Sequence, residues 1–222
     1  MASSSSVSVF NNHRFKTAFN EELYNSIVKN KKVIAECCID LDEDEYPEVK
    51  EQISLRGWRR LAAPIQEISI DLIHEFYANA ILTEEEMEEA RGHTFRSYVG
   101  GKVVDFSPEN LRNVMRFRAQ VQGATTDFET RKEHDQSEIP VIRAILIHCI
   151  MRGEDVRAED IIAVRMAQRI KEKGKLGFPS TIYKLCKEAG VPLREFRRTK
   201  KIQAEKPITA KRIESTRLPR PV

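Results

Sequence analysis

Apolar residues recur at helical spacing in several windows of this chain, and most of those windows are bounded by residues that start or stop helices. From Ile65, the positions Ile65, Ile68, Leu72, Ile73 and Phe76 fall three or four apart, and Tyr77 widens the stripe. That spacing predicts a core-facing helix to about Ala80. Leu23, Tyr24, Ile27 and Val28 give a shorter stripe behind Asn20, Glu21 and Glu22. Asn20 is expected to cap that helix, and the two acids favour its positive dipole end. Pro47 suits the first turn of a helix through Val49, Ile53 and Leu55, with Gly57 as its C-terminal stop and Trp58 anchoring the next segment. The β-branched residues between Lys32 and Ile39 read as a short strand.

The pattern changes period once. Phe95, Tyr98, Val99, Val103, Val104 and Phe106 flank Gly100-Gly101, which predicts a hairpin with a tight two-residue turn. Ser107-Pro108-Glu109 then opens a helix with a capping hydroxyl, a first-turn proline and an acid. Thr83 to Glu89 reads as an acidic cap and a helical turn. Gln120 to Glu138 is polar and aperiodic, a linker. Helices are expected at Ile139–Met151, apolar nearly all round and hence buried, at Ala158–Lys173, and at Pro179–Ala189 with Gly190 as cap and Pro192 as stop. The predicted organisation is a disordered Ser-rich leader at 1–16, a folded region at 17–193 and a basic disordered tail at 194–222. The folded region divides into an N-terminal part at 17–117, a polar linker at 118–137 and a helical part at 138–193.

Composition sharpens the class. A hydrophobic fraction of 41% with 32% charged residues suits an α+β fold that is predominantly helical with a small β element, its core built from Ile, Val, Leu and Ala. No apolar run reaches the roughly 20 residues of a membrane span. The opening MASSSSVSVFNNHRF lacks the basic start and apolar stretch of a secretory signal, and has too little Arg for a transit peptide. Cys37, Cys38, Cys149 and Cys186 show no CxxC spacing, so reduced thiols in the nucleus or cytoplasm are expected. The net charge of +3 hides an asymmetry: from Arg194 onward ten basic residues face three acidic ones, a local +7 that leaves the body at −4.

Candidate chemistry is sparse. Asp40, Asp42, Asp44 and Glu51 fit four positions of a calcium loop, but Glu45 stands where that loop needs Gly, and an acidic helix cap accounts for the same residues. His148 and Cys149 lie on the most apolar helix and read as packed core residues. His74 and Glu75 are adjacent, and so project apart on a helix. Asp71, Asp105, Asp127, Asp155 and Asp160 show no spacing that converges on a metal. Gly100-Gly101-Lys102 precedes a strand, whereas a phosphate loop precedes a helix. No cofactor, metal or catalytic set is therefore expected. The tail supplies Arg197, Arg198, Lys200, Lys201, Lys211 and Arg212, able to pair with nucleic-acid phosphates by counterion release or to serve as a nuclear-import address.

The blocks EFYANA, YVGGKVVDFSPENLRNVM and GKLGFPSTIYKLCKEAGVP, with Arg56-Gly57-Trp58 before them, resemble the plant transposon protein domain family over about Phe19 to Leu193. The resemblance implies a transposon-derived plant protein and brings no catalytic residues with it. It departs at the turn, where members usually carry Arg-Gly-Lys, and at 120–138, where members carry a longer helical block; that implies an internally shortened copy. The expected function is a non-catalytic domain acting through contacts with a protein partner. The alternative is a nucleic-acid-associated protein that holds DNA or RNA through its basic tail.

Overall fold

A computed structural model describes residues 10–42, 44–65, 67–80, 95–118, 157–171, 174–196, 201–203 and 205–209. The expected linker at 118–137 (apart from its first residue), the acidic turn at 83–89 and the buried helix at 139–151 lie outside them. Seven α-helices occur among the described residues: α1 (Ala18–Ser26), α2 (Pro47–Leu55), α3 (Arg59–Ala62), α4 (Ile70–Asn79), α5 (Pro108–Met115), α6 (Ala158–Lys171) and α7 (Pro179–Glu188). Six strands form three two-stranded ladders, so the fold is α+β and mainly helical. β1 (Cys37–Ile39) runs parallel to β6 (Glu205–Ile208). β2 (Glu67–Ser69) and β3 (Arg96–Val99) run antiparallel to β5 (Lys201–Gln203) and β4 (Lys102–Asp105) respectively.

α4 is the centre of the molecule. Leu72, Ile73, Phe76, Tyr77 and Ala78 are all buried, and the helix packs against the β3–β4 hairpin, α1 and α7. Phe106 stacks edge-on against Phe76 with ring centres 5.3 Å apart, fixing the hairpin on one side. The Tyr77 hydroxyl donates to the Gly177 carbonyl at 3.0 Å and holds the approach to α7 on another.

Local chemistry explains most element ends. Ser107 caps α5, its hydroxyl accepting from the Asn110 amide, with Pro108 in the first turn. The hairpin turn takes φ of 50° at Gly100 and 76° at Gly101, the left-handed conformations a two-residue turn requires. Gly57 and Gly190 each follow a helix with positive φ, and the next amide reaches back to Ile53 and Cys186 respectively. Gly57 sits where α2 and α5 end together: a Cβ there would stand 2.6 Å from the Arg116 carbonyl oxygen, beside the bond from the Arg118 amide to the Arg56 carbonyl.

Several expectations are corrected. The helix expected from Ile65 begins at Ile70, because Glu67–Ser69 pairs with a strand from the far end of the chain and Ser69 caps the helix. Thr17, rather than Asn20, caps α1; Asn20 is buried and donates to the Ala78 carbonyl at 2.9 Å. The acidic run does not cap α2 with a side chain: Tyr46 stands at the cap position with left-handed backbone. Two segments expected to be disordered are ordered in part. Residues 10–16 pack on the body through Phe15, which is buried. Within the tail, Leu193–Phe196 form a helical turn and 201–203 and 205–208 are strands, since sheet edges on the body accept their backbone.

Gly57→Ala should therefore lower stability toward the upper end of about 1–3 kcal/mol, the cost of a side chain in left-handed backbone with no room for it. Gly177→Ala, where nothing lies within 4 Å of the added carbon, should change the urea midpoint very little. Equal effects would refute the close-approach account of Gly57.

Candidate functional site

α4 buries three polar residues, His74, Glu75 and Asn79, and the last two stand one turn apart on one face. Neither side chain can be left without partners inside a core. Glu75 meets the requirement with two donors from separate parts of the chain. The Arg14 Nε–H donates to one carboxylate oxygen at 2.7 Å, and the Gly100 amide donates to the other at 2.8 Å. Asn79 accepts from the Lys16 amide at 3.0 Å and donates to the carbonyls of Arg14 and Tyr98 at 2.8 and 2.7 Å. The Ser97 hydroxyl adds a bond to the Phe76 carbonyl at 2.6 Å. One helix face thus gathers the N-terminal segment and the hairpin turn.

Arg14 is held from above as well. Its guanidinium lies 5.2 Å from the Phe15 ring centre and 5.1 Å from that of Tyr24, within reach of both π faces. Burial pushes the Glu75 carboxyl above its usual range, while the Gly100 amide and the Arg14 cation favour its charged form.

Over this cluster lies an open cleft of about 240 Å³ lined by Asn11, His13, Arg14, Asp71, Gly100, Glu195 and Phe196. The His13 Nε2 and a Glu195 carboxylate oxygen stand 3.1 Å apart at its exposed rim. Gly100 is confined by the Pro192 ring, 3.1 Å from where its Cβ would be. The cleft is small and its lining mixes both charges. Glu75 itself is closed off beneath it, with both oxygens engaged.

Two further carboxylates, the half-buried Glu36 and the buried Glu159, do comparable work. Phe178 offers α7 no side-chain cap, and Glu36 supplies one from far away: it accepts from the Ser180 amide, the Thr181 amide at 3.3 Å and the Thr181 hydroxyl at 2.8 Å. Glu159, at the start of α6, accepts from Arg112 of α5 at 2.9 and 2.6 Å.

Asp127, His148, Cys149 and Asp155 lie outside the described residues, and the other residues singled out from sequence form no common site. Among the described residues no group of three or more His, Cys, Asp or Glu side chains could hold a metal. Asp105 organises a turn, accepting from the Ser107 amide at 2.8 Å. Asp160 pairs with Arg157 at 2.9 Å, and Asp71 lines the cleft. Cys186 is a buried thiol that burial pushes far toward its neutral form. Of the tail cations, Lys201 opens β5 opposite Ser69, while Arg197, Arg198, Lys200, Lys211 and Arg212 lie outside the described residues. The cluster around Glu75 was not foreseen. Its signal was the pair Glu75 and Asn79, four apart on a helix with a broad apolar stripe.

No family model, curated protein or solved structure matches this chain. No described helix is long and apolar enough to cross a membrane.

Glu75→Gln should destabilise the protein by roughly 2–4 kcal/mol, the lower half of the range applying because Arg14 is partly exposed. Combined with Arg14→Gln, the loss should fall short of the sum by about 1 kcal/mol or more. Strict additivity in denaturant titrations would show that the two groups are not coupled.

His74 sets a pH dependence. It is buried with Nε2 3.0 Å from the Lys31 carbonyl oxygen, and burial lowers its pKa from the ordinary 6.5, against the opposing pulls of that carbonyl and Asp71. A base depressed in the folded state is protonated more readily when unfolded, so its contribution is complete above about pH 6.5 and is lost as pH falls. The slope of stability below that point, up to about 1.4 kcal/mol per pH unit, should flatten in His74→Gln. An unchanged slope would assign the pH dependence to other groups.

Proposed function

We propose that this chain is a non-catalytic interaction domain of a transposon-derived plant protein, working inside the cell through protein contacts. The observation that carries this reading is how its buried and half-buried carboxylates are used. Glu36 caps α7, Glu75 fastens Arg14 and the hairpin turn to α4, and Glu159 ties α6 to α5. Each is engaged by donors of the fold itself, which suits groups that shape a surface better than groups that exchange protons with a substrate. The family resemblance of the EFYANA and FPS blocks supports the plant mobile-element origin.

The surface offers a place for such contacts on α1. Phe19 in α1 and Ile27 just past its end are 47% and 50% exposed, on either side of Leu23, which packs on the core. Side chains of that size contribute most of their binding energy when a partner removes them from water. A second reading has its own support. The +7 charge of the last 29 residues suits a chain that holds nucleic-acid phosphates.

Crosslinked capture from plant extract, with and without nuclease, tests both. The full chain should retain proteins that a Phe19→Asp/Ile27→Asp variant loses by about tenfold or more. Identical capture by the two would remove α1 as the contact face. Capture that disappears with nuclease, together with salt-steep DNA or RNA binding lost on replacing Arg197, Arg198 and Lys200 by Gln, would favour the second reading. Replacement is the right manipulation here, because truncation after Leu193 would also remove β5 and β6.

A further inference from the structure

Past α7 the chain meets the body through strand edges. β5 lies on β2 in the register Glu67–Gln203, Ile68–Ile202, Ser69–Lys201, and β6 lies on β1 in the register Cys37–Glu205 and Ile39–Ile208, with an irregularity between. Because β6 comes directly after β5, one extended segment bridges two edges that come from distant parts of the body. Ile202 and Ile39 both pack on the core, and Ile68 is 3% exposed, so each edge has an apolar footing beside its hydrogen bonds.

Charge adds direction. In sequence, β5 opens with Lys201 and follows Arg197, Arg198 and Lys200, while Lys211 and Arg212 come soon after β6, so the segment that holds the two strands is basic. Asp71, in the first turn of α4, follows β2, and Asp40 and Asp42 follow β1, so the body's sequence turns acidic after each edge. Two short ladders contribute few hydrogen bonds, and they close loops of roughly 130 to 170 residues, so they belong to the part of a fold that opens at low cost.

We infer that the β1 and β2 edges form a strand-accepting surface for a basic, extended segment of a partner protein, and that residues 201–208 occupy it in cis. This rests on the protein-contact reading above and names its chemistry. Backbone pairing supplies the affinity, an isoleucine opposite Ile68 supplies the footing, and flanking cations supply the selection. The cis strand sets the threshold, since a partner's apparent affinity is scaled by the fraction of molecules in which the edges are open.

The test uses the full chain and a fluorescent peptide of residues 199–212 as the probe. Wild type should bind it weakly. Ile202→Asp, which weakens the cis strand and leaves the acceptor edges intact, should bind it about tenfold more tightly. A peptide with Lys200, Lys201, Lys211 and Arg212 replaced by Gln should lose that gain. A folded Ile202→Asp protein that gains no affinity would overturn the inference, as would a gain indifferent to peptide charge. Dimers of the full chain that dissociate in Ile202→Asp, without peptide uptake, would make a second copy the occupant and overturn the partner assigned here. If Ile202→Asp fails to fold, amide exchange in wild type decides. Residues 67–69 and 201–203 should exchange through local opening, well before α4; exchange only with global unfolding would mean that the strand cannot be displaced. The capture experiment on α1 changes different residues, so it can succeed where this one fails.

Discussion

The carboxylate of Glu75 is buried at the middle of the most apolar helix among the described residues, and it has to be answered from outside that helix. A charge or a polar carboxyl in such surroundings costs several kcal/mol unless it is fully hydrogen-bonded. The answers come from Arg14 and from the Gly100 amide, more than 80 residues apart in sequence. Satisfying one side chain therefore fixes where two separate segments lie. Asn79 repeats the arrangement a turn later with the Arg14 and Tyr98 carbonyls. An apolar residue at either position would remove bonds that set where the N-terminal segment and the hairpin meet α4.

The same logic runs through elements too short to stand alone. The helices among the described residues span four to fourteen residues, and lengths in that range are marginal in water without tertiary support. Their ends are accordingly tied to distant groups. Glu36 caps α7 from beyond 140 residues away, the Ser180 hydroxyl accepts from the Ile65 amide, and Lys184 donates to the Arg60 carbonyl. Gly57 lets the ends of α2 and α5 meet at backbone distance. Helix ends need partners for their unpaired amides and carbonyls, and here many of the partners come from elsewhere in the fold.

What was legible in the sequence was local. Gly100-Gly101 between alternating apolar residues, Ser107-Pro108, Pro179 and Gly190 each determine backbone conformation within a few residues, and the structure has the turn, caps and stops where those residues put them. The α+β, mainly helical class came from the same signals. Everything that depended on long-range pairing was hidden. Ile65 and Ile68 continue the helical period of α4, yet residues 67–69 form a strand because β5 arrives opposite them. Asn20 looked like a cap since Glu21 and Glu22 come after it, whereas Thr17 begins the helix and Asn20 turns inward to Ala78. The Arg14–Glu75 pair left only half a trace: a glutamate on an apolar face implies a partner without saying which.

The basic segment was the feature with the clearest functional content in the sequence, and its ordered part changes what that content means. A free cationic arm gains affinity for phosphates by releasing counterions, and loses it steeply with salt. Under the inference above, the cationic segment lies on edges whose sequences turn acidic, and phosphates then compete with the acids after β1 and at the start of α4. The competition sharpens the difference between the two functional readings. If the acids win, the segment belongs to the body, and the surface it covers becomes the site of interest. If phosphates win, releasing the segment exposes two unpaired strand edges, an unstable condition for any protein unless another strand takes the vacated place. Either course returns to the edges of β1 and β2, which makes them the part of this molecule where its chemistry toward other molecules is most constrained.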